Sequence, residues 1–509
     1  MKCHFKIAAA FLCATMLLLS PLWARPESGS GAWYEIFVSS FYDSNGDGIG
    51  DINGITEKLD YLNDGNSLSG HDLTVDGLWL MPIMPSPSYH KYDVTDYCAI
   101  DPSYGTLHDF DKLIAACHKR GVQIILDLVL NHTSKDHPWF QAAAKSLNSG
   151  SSAYTDYYHF TKEKRDGWHP VPNAEGWYYE GAFGEHMPDL NLDSQSVRRE
   201  IEAIVSFWTA RGLDGFRLDA VTKFYGDNSA RNTAFLGWLI QVVKTFNPEA
   251  YLVGEAWTDQ GTIISLYESG IVSLFNFPFS GPSGIFASSI RNQDGKGFAQ
   301  KAADWQKKLR NVSPEAMDAV FLTNHDMARS AGMLMNDLKK HKLAAAMYLL
   351  LPGNPFIYYG EELGMQGSGK DENKRMPFIW SVDNPAGICA PPPNADPVRM
   401  ILAGADAQNE DPDSLLSFYR NLLRLRSQYP AIAMGVLSAM DIGEKAVSVL
   451  RFDWEGDAIY VVHNLSKESV DLCWDYGGSI LSALNSKEDA PVLSQSTLHI
   501  PGYATVLLR

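Results

Sequence analysis

Six cysteines in 509 residues are too few for a disulfide-stapled scaffold, and no Cys-x-x-Cys pair or histidine spacing points to a structural zinc. Cys3 and Cys13 fall in an apolar leader, so Cys98, Cys117, Cys389 and Cys473 remain for the folded chain. Basic residues are in deficit, with 42 Lys and Arg against 60 Asp and Glu and a net charge of -18. Such an acidic surface argues against nucleic acid or an anionic membrane as partner and suits a neutral substrate. After the leader no apolar run is long enough to cross a bilayer. Low-complexity tracts and internal repeats are missing too, which excludes a solenoid. A hydrophobic content of 45% with 20% charged residues is that of a chain that folds throughout, and its length calls for two or three domains.

The leader, residues 1–24, carries Lys2 and Lys6, an apolar run over residues 7–19 and then Pro21-Leu-Trp-Ala24. This is the pattern of a cleaved secretory signal, so the protein is expected to be exported, to a periplasm or out of the cell, with no membrane attachment afterwards. An exported chain could pair Cys98 with Cys117. Cys117 also shares a helical face with Phe110, Leu113 and Ile114, which reads as a buried thiol.

The most informative stretch is Gly215-Phe216-Arg217-Leu218-Asp219. Alternation along a strand puts Arg217 and Asp219 on one face, where the guanidinium would lower the carboxyl's pKa and hold it ionised. Alone, the pair is as well explained by a structural ion pair as by a reactive carboxylate. Three other apolar runs end in the same way. Residues 122–130 form a run buried on both faces and end at Asn131-His132; residues 251–254 end at Glu255; residues 319–323 end at Asn324-His325-Asp326. In a parallel α/β barrel the carboxyl ends of the strands are where an active site is assembled. Further strands are expected at residues 33–41, 77–82 and 354–361.

These blocks, Asp127-Leu-Val-Leu-Asn131-His132, Gly215-Phe-Arg217-Leu-Asp219, Gly254-Glu255-Ala-Trp257 and Phe321-Leu-Thr-Asn324-His325-Asp326, resemble in content and order the four that define the α-amylase family. The resemblance implies a (β/α)8 TIM barrel with a small domain inserted after the third strand and a C-terminal antiparallel β-sandwich. On the sequence, the barrel would occupy residues 25–132 and 194–430, the insertion 133–193 and the sandwich 431–509. The insertion is rich in aromatic residues, and Met187-Pro-Asp189-Leu-Asn191 at its end resembles members intermediate between α-amylases and oligo-1,6-glucosidases.

The resemblance also implies the chemistry: a retaining hydrolysis of α-1,4-glucosidic bonds in starch, glycogen and maltooligosaccharides, expected of an endo-acting, monomeric α-amylase. Asp219 would be the nucleophile, Glu255 the general acid and base, and Asp326 the stabiliser of the transition state. The first two carboxyl groups would lie about 5–5.5 Å apart. Apolar neighbours such as Trp257 would raise the Glu255 pKa. His90, Tyr92, His132, Arg217, Lys223 and His325 would bind sugar, with Tyr92 stacked on the ring. Tyr89 stands where α-glucosidase-type members usually carry an acid, which weakens an exo-acting reading. An α-glucosidase, a cyclomaltodextrinase or a transglycosylase would use the same groups. A non-catalytic sugar-binding or transporter-associated relative would be expected to lack some of the three carboxyls.

Two metal sites are expected. Asp43, Asn45, Asp47 and Asp51, with the Ile49 carbonyl, place oxygens at every second position around glycine turns, as a calcium ion requires, although an Asx-rich turn has the same composition. Gly54 stands where an EF-hand has its bidentate glutamate, so the loop departs from a true EF-hand. The family resemblance supports calcium here, and suggests a second ion at Asn131 and Asp189, where Lys223 replaces the family's histidine.

Overall fold

The computed structural model describes residues 31–66, 69–150, 152–397, 403–486 and 489–509, so the leader lies outside the described residues. Eight parallel strands close into a barrel in chain order: β1 (Trp33–Ile36), β2 (Gly77–Leu80), β3 (Gln123–Leu128), β4 (Gly215–Leu218), β5 (Tyr251–Gly254), β6 (Ser273–Phe275), β7 (Met317–Phe321) and β8 (Asn354–Tyr358). β8 pairs with β1 through Trp33 and Phe356. Helices such as Leu107–Lys119 and Gln195–Thr209 cover the outside. The first of these starts at a Thr106–Asp109 capping box and buries Phe110, Leu113, Ile114 and Cys117. Cys117 is a buried thiol outside any disulfide, so the Cys98–Cys117 bridge is not formed.

Strand alternation decides what fills the barrel. Trp33, Trp79, Ile125, Tyr251, Val253, Phe275, Phe321 and Phe356 form one buried cluster. Trp33 stacks on Tyr251 at 4.7 Å and on Phe356 at 5.8 Å between ring centroids. Gly77 makes room for that layer, since a Cβ there would stand 2.3 Å from the Trp33 ring. Two residues further along the same faces come Glu35, Asp127 and Glu255, all polar. The barrel is thus an apolar plug under a charged layer.

Five strands end earlier than their apolar patterns, β1 and β8 by the most. β1 gives way to a 3-10 turn at Val38–Ser40, and β8 stops at Tyr358 before Gly360 turns the chain with φ +78°. Val38, Phe41 and Tyr359 are buried all the same, which is why apolarity overstated the strands. β6, only three residues long, was not anticipated. Beyond β8, Glu361 is buried and accepts hydrogen bonds from Tyr348 and Tyr419 hydroxyls at 2.7 and 2.9 Å.

Between β3 and β4 lies a three-stranded sheet of Phe160–Thr161, Tyr178–Glu180 and Trp168–Pro170, with Tyr178–Glu180 central. The C-terminal part packs a five-stranded antiparallel sheet, including Val447–Trp454, Asp457–Asn464 and Thr505–Leu508, with a three-stranded one. Val447, Val462, Leu472, Trp474, Leu498 and Val506 form its core.

Candidate active site

The guanidinium of Arg217, buried at the carboxyl end of β4, is the hub. Its Nη1 donates to Asp127 Oδ1 at 2.8 Å and to Asp219 Oδ1 at 2.6 Å, and its Nη2 donates to Glu255 Oε2 at 2.6 Å. Asp127 also accepts from the Tyr92 hydroxyl at 2.9 Å and the Trp79 indole at 3.3 Å. The backbone N–H of Ala220 donates to Glu255 at 3.2 Å.

A second charged group faces this one. Tyr92 lies 2.8 Å from His325 Nε2, with the two rings stacked at 5.6 Å. His325 Nε2 stands 3.0 Å from Asp326 Oδ2, and its Nδ1 lies 2.5 Å from Glu35 Oε1. Arg375 Nη2 pairs with Asp326 Oδ1 at 3.0 Å, while its Nη1 donates to the Tyr89 hydroxyl at 3.1 Å. The connected cluster therefore holds two guanidiniums and one imidazole against five carboxyls. Such an excess of acid in a buried layer is relieved by keeping a proton on one of them.

Glu255 is the group most suited to carry it. Burial pushes it up to about 7, with Arg217 pulling down and Asp219 and Asp326 adding to the rise. Asp219 is also raised, to about 6: burial outweighs the Arg217 guanidinium, which corrects the expectation that the arginine would hold this carboxyl low. Asp326 goes the other way, because His325, Arg375 and Arg217 together overcome its burial and hold it well below the usual range. Trp257 does not fill the role expected of it. It is 54% exposed and stacks on Phe277 at 5.0 Å, and burial of Glu255 as a whole lifts its pKa.

Of the other expected sugar-binding residues, His132 is buried with neither ring nitrogen hydrogen-bonded among the described residues, and its ring lies 5.1 Å from that of the exposed Phe183. Burial lowers His132 and His90 to about 4, so both are neutral. His90 sits against the Ser88 hydroxyl at 3.1 Å. Lys223 stands apart, half exposed and 3.2 Å from Asp227. Glu35, Asp127 and Arg375 were not singled out from sequence. Acids within the apolar β1 and β3 runs were visible signals for the first two; Arg375 follows β8 in an irregular segment with none.

In the 43–51 loop, Asp43 accepts from the N–H groups of Gly46 and Gly48 at 2.7 and 2.8 Å, and Asp51 accepts from Ser44 N–H at 2.9 Å and caps the helix Ile52–Glu57. These are the Asx turns of the alternative reading. Asp43, Asp47 and Asp51 nevertheless have no ion-pair partner among the described residues, and all three act on the buried Cys389 thiol, raising its pKa after burial itself. No three His, Cys, Asp or Glu side chains among the described residues converge to enclose an ion. A calcium ion there would draw on the Asn45 amide and the Ile49 carbonyl beside the loop's carboxylates, a donor set that suits a hard cation. At the second position Asn131 donates to Asp189 at 3.0 Å, and burial lifts Asp189 to about 7. An ion there would find the Asp189 carboxyl and the Asn131 amide oxygen as donors, with Glu180 near enough to add to the rise in the Asp189 pKa.

A closed barrel with two buried carboxyls bridged by one guanidinium at the carboxyl ends of neighbouring strands has the layout of a barrel-type glycoside hydrolase. A family model described as the α-amylase catalytic domain matches residues 35–435. Alpha-amylase 3 of Dictyoglomus thermophilum is 38% identical over 467 residues, which are 90% of this chain and 89% of that protein. A trehalose synthase of Thermus thermophilus is 31% identical over 565 residues, 96% of this chain and 56% of that protein. The solved structure of Eubacterium rectale Amy13B aligns with a TM-score of 0.88 at 41% identity, covering 94% of this chain and 95% of that one. The chain belongs to the α-amylase family of glycoside hydrolases.

Proposed function

We propose that this hydrolase is an endo-acting α-amylase that cleaves α-1,4-glucosidic bonds of starch, glycogen and maltooligosaccharides with retention of configuration. The observation that carries the reading is the single guanidinium shared by Asp219 and Glu255, which keeps both carboxyls on one side of the barrel mouth. Retention needs such proximity; inversion needs room for a water between them.

In the first step the Asp219 carboxylate attacks the anomeric carbon. The bond to the departing oxygen breaks, and Glu255 gives that oxygen its proton. In the second step a water attacks the same carbon, Glu255 takes the water's proton, and the ester bond to Asp219 breaks. Burial raises Glu255 to about 7, which suits a group that starts the cycle holding a proton. Asp326 remains ionised beside the positive charge that develops on the ring. Tyr92, His132, His90 and His325 line the sugar's position, and Lys223 serves the leaving group's side.

The same reading includes calcium at Asp43, Asn45, Asp47, Ile49 and Asp51, export through residues 1–24, and action as a monomer. Similarity to a trehalose synthase favours one second reading, transfer of the glycosyl group to a sugar hydroxyl in place of water.

The deciding experiment is the product time course from maltoheptaose, with the anomer followed by NMR before mutarotation. Early mixed oligosaccharides in the α form support the proposal. Glucose alone from the outset would point to an exo-acting α-glucosidase, and rearranged disaccharides from maltose to a transferase.

A further inference from the structure

His325 sits between two acids from different strands. On one side Asp326 follows β7; on the other Glu35, 1% exposed, comes from β1. Nδ1 is 2.5 Å from Glu35 Oε1, and Nε2 faces both the Tyr92 hydroxyl at 2.8 Å and Asp326 Oδ2 at 3.0 Å. The Tyr92 hydroxyl has one proton, and Asp127 Oδ2 at 2.9 Å is an acceptor for it. The tyrosine oxygen is then left to accept from His325, which requires a proton on Nε2. Glu35 in turn calls for a proton on Nδ1. Both ring nitrogens have acceptors, and neither has a donor.

We propose that Glu35 is a positioning residue for glycoside cleavage: through Nδ1 it holds His325 as an imidazolium, so that Nε2–H points to Asp326 and the sugar. The inference rests on the hydrolytic reading above. Glu35 lies beyond His325 and touches no substrate; its effect passes through the ring. The ring's packing resists a flip that would exchange Nδ1 and Nε2, because it stacks on Tyr92 and meets Trp79 edge-on at 5.7 Å.

Charge balance agrees. His325 is pushed up to about 10, with burial opposing and Asp326 and Glu35 overcoming it. The other groups acting around it are Asp127, Glu255 and Arg217 in the barrel layer and Arg375, whose Nε donates to the His325 carbonyl at 3.3 Å. The imidazolium is the leading influence that lowers Asp326 against burial. Removing the charge of Glu35 therefore reaches the transition-state carboxylate two groups away.

The test compares wild type, Glu35→Gln and Glu35→Asp. Glutamine keeps an oxygen for Nδ1–H and removes the charge; aspartate keeps the charge on a shorter arm. In Glu35→Gln, His325 is expected to titrate near the ordinary value of about 6.5. The alkaline limb of kcat/KM on maltoheptaose then steepens from one ionisation to two, and activity relative to wild type falls about tenfold one pH unit above the His325 value. Glu35→Asp should restore the single ionisation. Superimposable profile shapes for wild type and Glu35→Gln, with activity reduced by one factor at every pH, would overturn the proposal and leave Glu35 a packing residue. If Glu35→Gln does not fold, the 15N spectrum of histidine-labelled wild type at pH 8 decides, with His325→Asn to assign the signal: two protonated nitrogens support the proposal and one protonated nitrogen overturns it. Failure of the hydrolytic reading would show separately, as wild type without hydrolysis products.

Discussion

Asp219 and Glu255 accept hydrogen bonds from the two terminal nitrogens of one arginine, each at 2.6 Å, so neither carboxyl can move without disturbing the other. Asp127 completes the set, accepting from the same nitrogen that serves Asp219. The pair is preorganised by a group that makes no covalent bond in the reaction, and it is this arrangement that the following outcomes probe.

Asp219→Asn and Glu255→Gln should each lower kcat on maltoheptaose by more than about 10³-fold while leaving substrate binding measurable, because each removes a bond-making or proton-transferring group. Isothermal titration with the two variants and steady-state kinetics would check both halves. Retained hydrolysis in Asp219→Asn would remove this residue from the nucleophile's role.

Activity should peak between about pH 6 and 7. Asp219 must be ionised, so rate is lost as pH falls below its value of about 6. Glu255 must be protonated, so rate is lost as pH rises through about 7. The kcat/KM profile of the free enzyme reads both limbs, and Glu255→Asp should move the alkaline one.

Arg375→Gln removes the charge that pairs with Asp326 at 3.0 Å and the donor to Tyr89. A hydrogen bond to a charged group contributes about 1.5–3 kcal/mol, so kcat/KM is expected to drop by roughly 10- to 150-fold. The acid limb, set by Asp219, should stay in place, because His325 still holds Asp326 well below it. An acid limb that moved up would mean that Arg375 is what keeps Asp326 ionised.

If calcium occupies the 43–51 loop, chelation should lower the melting temperature, and at a hundredfold excess of ion over Kd the lost stabilisation is about 2.7 kcal/mol. Asp43→Ala should abolish the response to added calcium. Differential scanning calorimetry with and without chelator on both proteins is sufficient, and equal curves for wild type would reject the ion.

Glu361, buried beyond β8, is raised from 4.5 to about 7 by loss of water, with the hydroxyls of Tyr348 and Tyr419 only partly offsetting this. The folded state therefore holds a proton that the unfolded chain releases between those values, and stability falls as pH rises through this window. Glu361→Gln keeps an acceptor without the ionisation. Its melting temperature should vary less between about pH 4.5 and 7 than that of wild type.

Much of the site was legible because barrel strands announce their ends. Arg217, Asp219, Glu255, His325 and Asp326 all close apolar runs, and periodicity alone puts Arg217 and Asp219 on one face. Glu35 and Asp127 interrupt such runs and could have been found by asking why an acid sits in a buried strand. Arg375 could not, since it lies in an irregular segment and meets Asp326 only through the fold. β6 escaped for another reason: three residues are too few for a pattern.

The sequence by itself determined the class of fold, the family and the residues at the strand ends, because alternation and strand-terminal chemistry are local properties of a chain. Tertiary structure alone decided the charge states. Whether Asp219 sits low or high depends on the balance between burial and the Arg217 guanidinium, and burial wins, with Asp127 and Asp326 adding to the rise. It likewise decided that Trp257 faces outward and that Glu35 reaches His325 across the barrel mouth. Electrostatics at such a site is a sum over groups from every strand, and closure of the barrel is what brings them within reach of one another.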